Sequence, residues 1–185
     1  MNDFVQLWLP ILVTAGFIFI ASSLIHMVFQ WHKSEYQALS NEDAVIAAIR
    51  AGTAKPGQYV FPHCPDMKAM QGEEIQKKFR EGPIGFLTLR QPGPPTIGGA
   101  LIKWFLYTVL IAAIGGAVAL QTYGLHSHSH HAGHLVGVLS LLAYAGGSVQ
   151  HGIWKGVPWA AVAKDILDGL IYAIISALTF WWLWP

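Results

Sequence analysis

Nine histidines and one cysteine occur in the 185 residues, and the histidines are unevenly placed. His126, His128, His130, His131 and His134 crowd into one short stretch. Imidazole is a common ligand for zinc, copper and nickel, and a run of this kind offers several at once. In an extended loop, a spacing of two puts His126, His128 and His130 on one side. The competing reading is a polar, uncharged turn that stays hydrated between two apolar helices. Composition alone defines no ligand geometry here.

A second candidate is the FPHCPDMKAM run, where His63, Cys64, Met67 and Met70 bring imidazole, thiolate and thioether together. Soft ligands of this kind suit copper(I). With no second cysteine, neither a paired-thiolate zinc site nor an intrachain disulfide is possible. Pro62 and Pro65 also make a rigid turn there for packing alone. The third set is His26, His151 and Asp168, which share one depth if their helices run antiparallel. Ionisable groups at membrane depth usually face a bundle interior and mark relays, ligands or ion paths. His26 and His151, on neighbouring helices, suit a haem iron or a proton relay. The structural alternative pairs Asp168, in the first turn of its helix, with His151 or Lys103. No residue is assigned a catalytic role. The chain has no phosphate-cradling glycine loop, no His-Glu-x-x-His helix and no nucleophile elbow. Acid and base work on a lipid would have only Asp168 and His151 to use.

Composition says what elements must hold these groups. The chain is 54% hydrophobic and 11% charged, against roughly 25% charged in an ordinary soluble domain. A water-soluble globule with a polar skin is thereby excluded. Net charge is +1, from eleven basic and ten acidic residues, so there is no basic stripe for a nucleic acid. A helix crossing the bilayer needs about 20 mostly apolar residues, and the stretches 5–29, 102–121, 134–154 and 166–184 supply them. The first has no basic flank and no short apolar core with a cleavage site, so it reads as an uncleaved anchor. The third is the least apolar, through Tyr144, Ser148, Gln150 and His151, and its alternative is a re-entrant or surface helix.

Basic residues near the span ends set the orientation. Residues 30–100 hold Lys33, Arg50, Lys55, Lys68, Lys77, Lys78, Arg80 and Arg90, whereas the turn 122–133 holds none. Lys103, Lys155 and Lys164 complete the set. If 30–100 and the turn 152–165 are cytoplasmic, every basic residue lies inside and both termini lie outside. Trp31, Trp104, Trp154 and Trp159 then mark the inner interface, and Trp8, Trp181, Trp182 and Trp184 the outer one. Within lipid, close packing of small residues drives helix association. The expected seams are Gly169, Ala173 and Ala177 in the fourth span, Ala112 with Gly116 and Ala113 with Ala117 in the second, and Ala143 with Gly147 in the third.

The stretch between the first two spans is too long for a simple connection. Ser40 to Asp43 resembles a capping box with Asp in place of Glu. It precedes a helix through Arg50 that stops with Gly52 in the left-handed position. An extended piece at 59–61, a helix over 72–80 with Glu74 paired to Lys78, and a strand over 84–89 follow. The expectation is an all-α membrane protein: four transmembrane helices in an antiparallel bundle, with a small cytoplasmic helix and strand cap between spans 1 and 2. The divisions are a first transmembrane helix over 1–30, the cap segment over 31–100, and a three-helix transmembrane region over 101–185. Its surroundings are the lipid bilayer and other membrane proteins, with the inner membrane of a bacterium as the expected setting. Its function is either a non-enzymatic accessory or scaffold role, or the handling of a transition metal or haem through the histidine run or the His26 and His151 pair.

Overall fold

A computed structural model describes residues 3–185, which form two units. One comprises the chain up to Tyr36 with Thr96–Pro185, and the other is Gln37–Pro95. In chain order the regular elements are α1 (Trp8–Ser23), α2 (Glu42–Ala51), β1 (Gly57–Phe61), α3 (Met67–Met70), α4 (Glu73–Glu81), β2 (Gly85–Leu89), α5 (Gly98–Tyr123), α6 (Ser129–Lys155) and α7 (Trp159–Leu183). Among the described residues, four helical stretches are long and apolar enough to cross a bilayer: Asp3–Phe29, Gly98–Tyr123, Ser129–Lys155 and Trp159–Leu183. At 1.5 Å per residue, even the 25 residues of α7 exceed the roughly 30 Å of hydrocarbon. These spans form an antiparallel bundle in which each touches the next and α7 closes back on α1. The protein is an all-α membrane protein.

The first span is not one regular helix. A 3-10 turn, Asp3–Leu7, enters α1, and a π-helical turn, Leu24–Phe29, leaves it. Pro10 lies in the first turn of α1, where a missing N–H has no intrahelical acceptor to lose. The π turn closes with the Gln30 N–H on the Ile25 carbonyl at 2.8 Å, Gln30 taking φ 50°. A 3-10 segment, Trp31–Glu35, follows. One π turn rotates the side chains beyond it away from the face a continuous α-helix would give them.

Small residues bring α6 and α7 together. A Cβ on Gly133 would lie 2.5 Å from the Ala177 carbonyl oxygen, one on Gly137 2.8 Å from the Ala177 Cβ, and one on Gly169 2.7 Å from the Ala145 Cβ. The expected α7 stripe is therefore a seam, but its partner on α6 is Gly133, Gly137 and Ala145. Ala143 and Gly147 do not form one: Ala143 lines a cavity, and no described atom lies within 4 Å of a Cβ on Gly147. On α5, Ala112 is buried, and Gly116 admits Phe180 to 2.9 Å of where its Cβ would be.

Other boundaries also moved. α7 begins directly after Pro158, because Lys164 and Asp165 interrupt the apolar run without interrupting the helix. Asp168 consequently sits well inside α7 and only 6% exposed, not in a first turn where the helix dipole would favour it. Trp31 and Trp104 pack against the bundle, and Trp184 joins the core at the other end and is only 9% exposed.

In the Gln37–Pro95 unit, β1 and β2 pair antiparallel with Tyr59 opposite Leu87 and Phe61 opposite Gly85. The Phe61 ring lies 3.1 Å from the place of a Gly85 Cβ, which is why a side chain is missing there. The capping box is not formed: α2 begins after Asn41 with no side-chain cap. Gly52 is right-handed, and Thr53 carries the positive φ, 51°. Asp66 caps α3 through the Ala69 N–H at 2.7 Å. The Glu74 and Lys78 pair forms at 2.6 Å, and its hydrogen bond and charge hold the Glu74 carboxyl below the usual carboxylate range.

Candidate functional site

The 3-10 segment Trp31–Glu35 lies against α7, which offers Lys164 and Asp168 from one face, four residues apart. Lys164 Nζ donates to the Trp31 carbonyl at 2.6 Å and to Ser34 Oγ at 2.9 Å, and stands 3.4 Å from Glu35 Oε1. One turn along, Asp168 Oδ1 accepts the Trp31 indole N–H at 3.1 Å, while Oδ2 is 3.0 Å from His32 Nε2. The other His32 nitrogen, Nδ1, is 2.8 Å from Glu35 Oε1. His32 is thus gripped between two carboxylates. The His26 ring, carried on the π turn, stacks on His32 with centroids 5.0 Å apart, and its Nδ1 is 2.9 Å from the Ser22 carbonyl oxygen. His26, His32 and Asp168 each present a ligand atom within 4.8 Å of the others.

The hydrogen bonds decide which nitrogen is free. A carbonyl accepts only, so His26 donates from Nδ1 and exposes Nε2. With Nδ1 donating to Glu35, a neutral His32 turns its Nε2 lone pair toward Asp168 Oδ2; a hydrogen bond there needs a second ring proton, and a bound cation would take the place of that proton. A carboxylate or carbonyl behind each ligating imidazole is the usual outer support of a metal site, since it fixes tautomer and ring angle. Two imidazoles and one carboxylate with further positions open are a donor set of catalytic zinc and non-haem iron. Atoms bound about 2.0–2.2 Å from one ion stand roughly 3–3.5 Å apart. The 3.0 Å between His32 and Asp168 already fits, whereas His26 must close in. Its ring is nearly parallel to that of His32, at 7°, and one ion cannot lie in both planes, so His26 must also turn. His26 is the exposed member of the three, free to do so.

Beside this cluster is a cavity of about 640 Å³, walled by all four spans. His26, Asp168 and His151 line it, so the set expected at one depth does share one space. Asp168 nevertheless bonds to Trp31 and His32, not to His151 or Lys103. Trp104, Tyr107, Tyr144 and Tyr172 also line it, and the Trp104 indole N–H donates to Ser22 Oγ at 2.9 Å.

The histidine run is not an extended loop. His126 takes φ 63°, His128 precedes α6, and His130, His131 and His134 lie in its opening turns. The His130 and His131 rings approach to 4.0 Å between centroids, with His128 at 5.7 and 6.1 Å from them. Among the described residues, no three groups of this run offer ligand atoms as mutually close as those of His26, His32 and Asp168. In the other unit, His63 and Cys64 follow β1, Cys64 Sγ donates to the Asp66 carbonyl at 3.0 Å, and Met67 and Met70 bracket α3. Comparison with known proteins finds no matching family model, no matching curated protein and no matching solved structure.

From the sequence, His32 and Glu35 stand out in no way, and Trp31 and Lys164 read only as interface and orientation residues, not as parts of a site. The available signal was a histidine and a glutamate one turn apart, directly after a span already carrying His26.

Proposed function

We propose that this membrane protein holds a divalent first-row transition metal at one end of its bundle, on His26, His32 and Asp168. The carrying observation is the line Glu35, His32, Asp168, with contacts of 2.8 and 3.0 Å and a His26 nitrogen within 4.8 Å of the His32 and Asp168 ligand atoms. Such a line positions a ligand more firmly than a surface contact does. Lys164 offsets the charge of Glu35, so the carboxylate that meets the ion is Asp168. The basic residues Lys33, Lys103, Lys155 and Lys164 support placing this end in the cytoplasm of a bacterium, with both termini outside its inner membrane. The histidine run then lies at the opposite face, suited to loose collection of zinc, copper or nickel, and His63, Cys64, Met67 and Met70 form a softer set elsewhere. A haem between His26 and His151 draws on the same cavity and announces itself by a Soret band.

The test uses full-length protein purified without a histidine tag, with His126, His128, His130, His131 and His134 changed to Asn to silence the run. Titration with Co²⁺ should show one tight equivalent with visible ligand-field bands. His32→Ala and Asp168→Asn should each weaken it at least tenfold. A Soret band in the purified protein would replace the metal with haem. Folded protein that takes no tight Co²⁺ overturns the reading and returns the accessory or scaffold role.

A further inference from the structure

We infer that the cavity beside this centre binds a lipid-soluble quinone or quinol, a proposal that builds on the metal reading for the anchor of one ring oxygen. Its aromatic wall comes first. Trp104, Tyr107, Tyr144 and Tyr172 stand 5.3 to 6.1 Å apart in successive ring pairs. Rings so close to one another leave no room for a cation between them, so they form a wall and not a cage. A flat ring laid on such a wall continues its edge-to-face and offset contacts.

The charges point to a neutral head. Asp165 and Asp168 both line the cavity, and together they cancel a divalent ion, which favours neither a carboxylate nor an ammonium. Oxygen is the complementary atom, since open metal positions and imidazole nitrogens take it readily. A volume of about 640 Å³ falls in the usual range for small-molecule sites, roughly 300–1,000 Å³.

The route to lipid lies at Gly147. On α6 the positions Ala143, Gly147 and His151 follow one another at four-residue spacing, on one face. Ala143 and His151 line the cavity, and no described atom lies within 4 Å of a Cβ on Gly147. Met27 and Leu101, also in the lining, are 67% and 39% exposed on helices that face lipid. An isoprenoid tail can therefore leave sideways while the head stays at the imidazoles.

The experiment uses the full chain in nanodiscs, with and without Co²⁺, and decyl-ubiquinone and its quinol as probes in equilibrium dialysis. Saturable binding of one probe per chain is expected, with a change in the Co²⁺ bands on addition. Gly147→Leu should weaken probe binding at least tenfold and keep Co²⁺. Gly146→Leu, an equal insertion with open space on another face, should leave both unchanged and shows that α6 tolerates it. Non-saturable partitioning, undiminished binding in Gly147→Leu, or displacement by oleate as effective as by quinone overturns the proposal. Saturable quinone binding in protein that takes no Co²⁺ sustains the cavity site and removes only the metal.

Discussion

His32 is held at both ends of its ring, because each ring nitrogen meets a carboxylate, Glu35 at 2.8 Å and Asp168 at 3.0 Å. In the proposed centre Glu35 would not itself face the ion. Its part is to hold the Nδ1 proton in place, which keeps Nε2 available, and removing such a support commonly costs about 10 to 100-fold in metal affinity. Glu35→Gln should therefore lower Co²⁺ affinity by about that factor while leaving the stoichiometry and the Asp168 contact intact. A titration of the variant beside Asp168→Asn checks this, and equal affinity to the unaltered protein would deny Glu35 its role. His26 and Asp168 could be picked from the sequence because ionisable side chains are rare inside spans. His32 could not be, since Lys33, Ser34 and Glu35 beside it read as an ordinary solvated connector. Only the left-handed Gln30, folding that connector back onto α7, makes it part of the site.

Among the elements, α6 and α7 owe their close approach to missing side chains, and the sequence marked only one half of that contact. The α7 stripe of Gly169, Ala173 and Ala177 was evident from its spacing. On α6 two small-residue pairs competed, Gly133 with Gly137 and Ala143 with Gly147, and periodicity cannot say which faces a neighbour. The first pair makes the seam, whereas of the second Ala143 lines the cavity and Gly147 faces open space. Overpacking a tight site costs typically 1–3 kcal/mol, so Gly137→Val should destabilise the bundle by about that amount, through the Ala177 Cβ at 2.8 Å and the Ala173 carbonyl oxygen at 3.2 Å. Gly146→Val, with nothing described within 4 Å, should cost far less. Unfolding by graded SDS in detergent micelles distinguishes the two, and equal losses would mean that valine inside α6, not the contact, sets the penalty. The span boundaries were less legible for a similar reason. Hydropathy ends where charges begin, but helix α7 continues through Lys164 and Asp165 because both find partners or the cavity.

At the scale of the whole molecule, the bundle has two dissimilar ends. At one, the His126 N–H reaches the Pro185 carbonyl at 3.2 Å, and Leu7, Phe180 and Trp184 share a core, so the N-terminal turn, the α5 to α6 connection and the C-terminus lie together. The turn there carries histidines and no formally charged residue. At the other end stand Lys164, Glu35, Asp168 and the two imidazoles of the proposed centre. The energetic cost of carrying lysine and arginine across during insertion favours keeping the second end in the cytoplasm. A membrane-impermeant maleimide applied to intact cells should therefore label His128→Cys, which is exposed, and miss the native Cys64 until the membrane is opened. A C-terminal epitope should behave as His128→Cys does, because the Pro185 contact joins them at one end. That agreement is required by the fold whichever way the protein inserts, so it controls for correct folding, while the behaviour of Cys64 reads the orientation alone. If Cys64 is labelled from outside and His128→Cys is not, the centre faces the exterior. Its metal would then be drawn from outside the cell, while the histidine run would meet the cytoplasmic pool.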